Sequence, residues 1–164
     1  MNKAYVIDGN SLLFRAYFAT AYGGGEIMRT KDGTPTNAVF AFSNMLNKVL
    51  QGLKEGDALF VGFDTGKATF RHKEDENYKA NRKPAPEELK VQMPIVRELL
   101  KSLNIFVYEK EGYEADDICG TVSKMLGKDN YEVIVYTSDR DFLQLIDKIF
   151  QSTLLKQVCL TLLL

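Results

Sequence analysis

Short runs of β-branched and aromatic residues alternate along the chain with longer stretches whose apolar positions recur at helical spacing. Ala4 to Ile7, Ala58 to Phe63, Ile105 to Tyr108 and Glu132 to Tyr136 read as strands. Ser11 to Ala19, Pro86 to Leu103, Glu114 to Leu126 and Asp139 to Ile146 read as helices. A further helix, Asn37 to Leu53, carries Ala38, Phe42, Leu46, Val49 and Leu53 along one face, with Thr36 as its expected N-cap. Strands separated by helices pack as a parallel sheet, so the expected class is α/β, three layers with a mainly parallel central sheet and helices on both faces. Pro94 lies inside the Pro86 to Leu103 segment, and its missing N–H and its ring predict a kink or a split there.

Two segments break the alternation. Tyr22 to Pro35 contains three consecutive glycines, Gly23 to Gly25, without the Gly-Lys-Ser/Thr ending of a phosphate-binding loop, and reads as a mobile loop. Thr65 to Ala85 interleaves Lys67, Arg71, Lys73, Lys79, Arg82 and Lys83 with Phe70, His72 and Tyr78. A solvated face explains most charge runs. Rings that stack on bases beside cations that follow phosphates are also how single strands are gripped.

Composition narrows the classes. At 164 residues and 45% hydrophobic, the chain suits one compact domain. A formal net charge of −1 gives no global basicity, so a nucleic-acid partner would have to meet a local patch. Cys119 and Cys159 lie far apart and His72 is alone, which argues against zinc. No signal peptide and no apolar run near the ~20 residues of a membrane span are legible, so a cytoplasmic, non-membrane protein is expected.

Acids sit where the predicted strands end. Asp8 and Asp64 close the first and second strands, Glu114, Asp116 and Asp117 follow the third, and Asp139 and Asp141 follow the fourth. In a parallel sheet the carboxyl ends of the strands open onto one crevice. Like charges gathered there need a counter-cation, and an oxygen-only set points to Mg2+ or Mn2+. Helix N-termini alone would account for the acids at 114–117 and 139–141. Asp8 and Asp64 favour the convergent reading, because an unpaired carboxylate at an apolar strand end gains nothing. Residues three apart share a helix face, so Glu114 and Asp117 are expected to point together, with Asp116 turned away.

These motifs carry a resemblance. Val6-Ile7-Asp8-Gly9-Asn10-Ser11-Leu12, Gly33-Thr34-Pro35-Thr36-Asn37-Ala38-Val39, Phe63-Asp64, Thr69-Phe70-Arg71-His72 and Tyr78-Lys79-Ala80-Asn81-Arg82 come in that order. Glu114-Ala115-Asp116-Asp117 and Ser138-Asp139-Arg140-Asp141 follow. Together they resemble the 5′-to-3′ exonuclease domain of bacterial DNA polymerase I, a relative of flap endonucleases with a PIN-like, resolvase-like fold. The resemblance runs from about Ala4 to Ile146, placing the domain at 1–147 with an arch-like basic segment at 65–85.

The resemblance implies two magnesium (or manganese) ions in the complete family fold, held by Asp8, Asp64, Glu114, Asp116, Asp117, Asp139 and Asp141. They would activate water and stabilise the leaving oxygen of a phosphodiester. Lys79 and Arg82 would steer the scissile phosphate as catalytic cations, Tyr78 and Phe70 would stack on displaced bases, and Arg15 and Arg71 would hold backbone phosphates. DNA with 5′ ends or flaps is the implied partner, with a polymerase domain in a longer parent protein.

Residues 148–164 depart from that pattern. Family members continue into a helix-three-turn-helix region with two more aspartates, so binding at one ion site with reduced cleavage is expected of this chain. Val158 to Leu164 reads either as a fifth strand or as a frameshifted or truncated end. Among other enzymes, a haloacid-dehalogenase-like phosphatase needs an aspartate where Asn10 stands. A PIN-type ribonuclease shares the acid-lined crevice and would cut RNA instead. A non-cleaving fragment that binds metal or DNA is the alternative outside enzymes.

Overall fold

The computed structural model of the chain describes residues 1–22, 26–67, 69–74, 84–139, 142 and 159–162, with the backbone alone at 72, 73 and 159–162. Its elements run β1 (Lys3–Asp8), α1 (Gly9–Ala21), α2 (Asn37–Gly52), β2 (Ala58–Phe63), α3 (Phe70–Glu74), α4 (Glu87–Ser102), β3 (Phe106–Glu109), α5 (Ala115–Lys128), β4 (Glu132–Thr137) and β5 (Cys159–Leu162). The strands form one sheet in the order β3-β2-β1-β4-β5. Every pairing is parallel, with Val6 opposite both Phe60 and Val135. β5, within the divergent tail, lies beside β4 with Cys159 opposite Ile134.

Alternation along the strands assigns the layers. Tyr5 and Ile7 of β1, Val61 and Phe63 of β2 and Ile134 of β4 pack on one face with α1, α2 and α4. Ala4, Val6, Phe60, Val133 and Val135 pack on the other face against Ile118 and Cys119 of α5. A period of two on a strand makes both sets apolar at once, which explains the nearly continuous apolar runs of β1, β2 and β4.

Capping separates the helices. Asp8 caps α1, its Oδ1 accepting the Ser11 N–H at 2.9 Å. Thr36 holds the N-cap position of α2 but makes no side-chain cap bond. The fully buried Gln92 of α4 takes that role, its Oε1 accepting the N–H groups of Ala38 (2.8 Å) and Val39 (3.1 Å).

Pro94 neither splits nor shortens α4, which runs unbroken from Glu87 to Ser102. Pro94 and Lys90, whose carbonyl loses its donor, both lie on the exposed face, where water can serve that carbonyl. Leu89, Val96 and Leu100 are fully buried and hold the opposite face in the core. Among the described residues, no helix is long and apolar enough to cross a membrane. Gly23 to Gly25 and most of the expected helix Asp139 to Ile146 lie outside the described residues.

Candidate active site

The carboxyl ends of β1, β2 and β4 and the start of α5 open on one crevice, lined by Asp8, Asp64, Glu114, Asp116 and Asp139. Asp8 lies at its floor, only 6% exposed. Besides its cap bond, it accepts the Thr137 hydroxyl at 3.4 Å through Oδ2. Burial pushes its carboxyl from 3.8 up to about 6. The Ser11 N–H opposes that rise, and the charges of Asp64, Asp116 and Asp139 add to it. Asp116 is raised too, first by burial and then by the charge of Asp117.

The helix-face expectation at α5 holds for one pair and fails for Asp116: Glu114 and Asp117 point together onto Arg71, but Asp116 is not turned away from the crevice. Asp116 lines the crevice with Asp8, whereas Asp117 turns to Arg71, which donates to its two oxygens at 2.7 and 2.6 Å. Glu114 is the N-cap and α5 starts at Ala115, so Asp117 is spent on the helix end, accepting the Glu114 N–H at 3.1 Å. Three-residue spacing at a helix start makes a cap contact before it makes a shared face. Arg71 also meets the buried Glu114 at 3.5 Å and lies 4.8 Å over the Phe70 ring. Arg71, expected on a DNA phosphate, thus sits against acids of α5, and Phe70, 38% exposed, packs near Tyr113 at 5.8 Å. Arg15 lies on α1. Tyr78, Lys79, Arg82 and Asp141 fall outside the described residues.

Several residues at the crevice were not singled out in the sequence for a role there. Asn10 joins α1 to β2, donating through Nδ2 to Asp64 Oδ1 at 2.6 Å. The Ser11 and Ser138 hydroxyls bond one another, and the Ser138 N–H donates to Ser11 Oγ at 2.7 Å. Arg97 of α4 donates to the Asp64 carbonyl at 3.1 Å, meets Glu109 at 3.2 Å and lies 4.6 Å over Phe63. The one available signal is spacing, since Lys90 and Arg97, seven apart on α4, both reach the crevice.

The donor chemistry suits a hard divalent cation, because the facing groups are carboxylates backed by hydroxyls and an amide, and Asp8 carries an unfavourable charge. Cys119, beneath the floor, donates its thiol to the Ile7 carbonyl at 3.5 Å and is held protonated by burial. Among the described residues, no three such groups already close on an ion position.

A model of the 5′-3′ exonuclease N-terminal resolvase-like domain matches residues 3–161. The chain belongs to the 5′-3′ exonuclease family. It is 46% identical over 143 residues to DNA polymerase I of Bacillus subtilis (strain 168), covering 87% of this chain and 16% of that protein. It is 41% identical over 147 residues to a 5′-3′ exonuclease of Mycoplasma pneumoniae (strain ATCC 29342 / M129 / Subtype 1), covering 90% of this chain and 50% of the relative. The chain therefore spans well under two thirds of either relative's length. The solved structure of T5 5′-exonuclease with bound divalent metal ions (zinc) shares the fold, with a TM-score of 0.61 and 20% identity, over 88% of this chain and 52% of that one. The PIN-like, flap-endonuclease-type fold of this exonuclease family is thus the fold of the chain.

Proposed function

We propose that this chain is the catalytic part of a cytoplasmic, magnesium-dependent 5′-3′ exonuclease or flap endonuclease that hydrolyses phosphodiesters of DNA at 5′ ends. The observation that carries the reading is the meeting of Asp8, Asp64, Glu114, Asp116 and Asp139 from separate elements in one crevice. The crevice has a volume of about 1120 Å³.

Asp8, Asp64, Glu114, Asp116 and Asp139, with Asp141, would hold the cation, or two of them in a complete protein. When bound, such a cation supplies Lewis-acid polarisation of a phosphoryl oxygen and neutralises charge that develops in displacement. The chain's own part is to orient and exclude. Asp8, raised to about 6, is ionised at neutral pH yet fixed by Ser11 and Thr137, so the floor is negative before anything binds.

Lys79 and Arg82 are assigned to steering the scissile phosphate, and Tyr78 and Phe70 to stacking on displaced bases. Arg15 is assigned to the DNA backbone. Arg71 and Asp117 join the acid wall to α3. A polymerase domain is the expected companion in a longer parent, in line with the length of the polymerase relatives.

Incubating the chain with labelled 5′-flap DNA and Mg2+ tests the reading. Release of short 5′ products, abolished by EDTA and by D116N or D139N, is the expected result. Undiminished cleavage by D116N or D139N overturns the assignment, and preference for a matched RNA flap points to a ribonuclease.

A further inference from the structure

We propose that Asn10 and Arg97 are positioning residues that hold Asp64 at the crevice in the orientation that binds a divalent cation. The inference rests on the reading of the crevice as an ion site given above.

Asp64 stands just past the end of β2, where no strand partner fixes it. Three of its polar groups are nevertheless engaged from two other elements. Asn10, in the first turn of α1, donates to Asp64 Oδ1 at 2.6 Å and accepts the Asp64 N–H at 3.3 Å. Arg97, from the middle of α4, donates to the Asp64 carbonyl at 3.1 Å. The carboxylate, the N–H and the carbonyl of one residue are therefore all held.

Both holding groups sit in packed surroundings. Asn10 follows Gly9, the first residue of α1, whose N-cap is Asp8. A side chain on Gly9 has no room there, since an added Cβ would fall 2.4 Å from the Phe63 ring. The Arg97 guanidinium is packed on that same ring and anchored by Glu109 at 3.2 Å. One Asp64 oxygen, Oδ1, is committed to Asn10, so the carboxylate has a fixed rotation about its own axis. Partners of this kind, which orient an ion's ligands without touching the ion, typically carry about 10- to 100-fold in ion affinity.

Both contacts converge on one residue. Lys67–Glu111 joins the neighbouring loops with both side chains more than 60% exposed. Arg97, at 32%, is instead turned inward to the backbone of the very residue whose side chain faces the acids.

Calorimetric titration of the chain with Mn2+ is the decisive measurement, carried out on wild type, N10A, R97A and the remote core variant L46A. Each variant's thermal midpoint is recorded as well. N10A and R97A are expected to bind Mn2+ about 10- to 100-fold more weakly, and L46A to lose stability with its affinity kept. N10S, which retains a short donor, is expected to recover part of the N10A loss. Equal affinity in wild type, N10A and R97A overturns the inference and leaves the crevice an ion site. Matched affinity losses in L46A overturn it as well, because general loosening then accounts for the effect. Failure of wild type to bind Mn2+ overturns both the ion-site reading and this inference.

Discussion

Asp8 lines the crevice and Asp117 stands one residue past Asp116, which lines it too, yet Asp8 and Asp117 solve opposite electrostatic problems. Asp117 is charged beside a charge, gripped at both oxygens by Arg71. Asp8 is buried among its own kind, helped by one N–H and one hydroxyl, and its carboxyl rises to about 6. The pair at Asp117 is complete as it stands. The cluster around Asp8 carries like charges that raise its carboxyl, and a cation added there would relieve them, which is what the proposed ion site requires.

Experiments can break this contrast at several depths. The largest effect is expected from D116N, which removes a carboxylate from the incomplete side, with flap cleavage in Mg2+ falling on the order of 10²–10³-fold. A gel assay on a labelled 5′ flap reads it directly, and a change below tenfold would assign Asp116 to structure.

Next comes D8N, where stability rather than rate is the readout. Asn keeps the cap of α1 while removing the buried charge. In EDTA, the folded chain binds a proton at Asp8 between 3.8 and about 6 that the unfolded chain has already lost. Wild-type stability therefore declines as pH rises through that window, by about 3 kcal/mol. D8N is expected to be more stable than wild type at pH 8 by that order and to converge with it toward pH 4. Urea unfolding at both values would expose the absence of such a crossover. Saturating Mn2+ should reverse the order at pH 8.

On the complete side, R71A leaves Asp117 and the buried Glu114 without their arginine. A loss of about 1–3 kcal/mol is expected on urea unfolding in EDTA. Because Glu114 also lines the crevice, saturating Mn2+ should recover part of it, whereas full recovery would show that the two regions are one. The smallest effect is expected from K67A. Its pair with Glu111 is exposed on both sides, and urea unfolding should shift by less than ~0.5 kcal/mol.

Much of this was legible from local pattern. Val6, Val61 and Val135 sit in runs too short for helices and too apolar for loops, and β1, β2 and β4 lie within two residues of where those runs fall. Strand ends then locate Asp8 and Asp64, because a parallel sheet has only one carboxyl edge. The choice between Asp116 and Asp117 was not legible. It depends on which residue caps α5, and each residue's step turns a helix by about 100°. Arg71–Asp117 and Arg97–Asp64 join residues far apart in sequence by side-chain geometry that no periodicity encodes. At Pro94 the expected split does not occur, and the burial of Leu89, Val96 and Leu100 holds α4 in one piece.

The strand order has a consequence for synthesis. β1 is made first, but its neighbours are β2, with Ala4 opposite Ala58, and β4, with Lys3 opposite Glu132. Each pairing closes a long loop, the slow kind of contact. While the ribosome has delivered only β1 to β3, one edge of β1 lacks the neighbour it has in the finished sheet, and Asp139 does not yet face Asp8. Pairing of β4 with β1 therefore closes that edge of the sheet and sets Asp139, just past β4, at the crevice with Asp8. A nascent or cleaved product ending before Glu132 carries Asp8, Asp64, Glu114 and Asp116 but neither β4 nor Asp139.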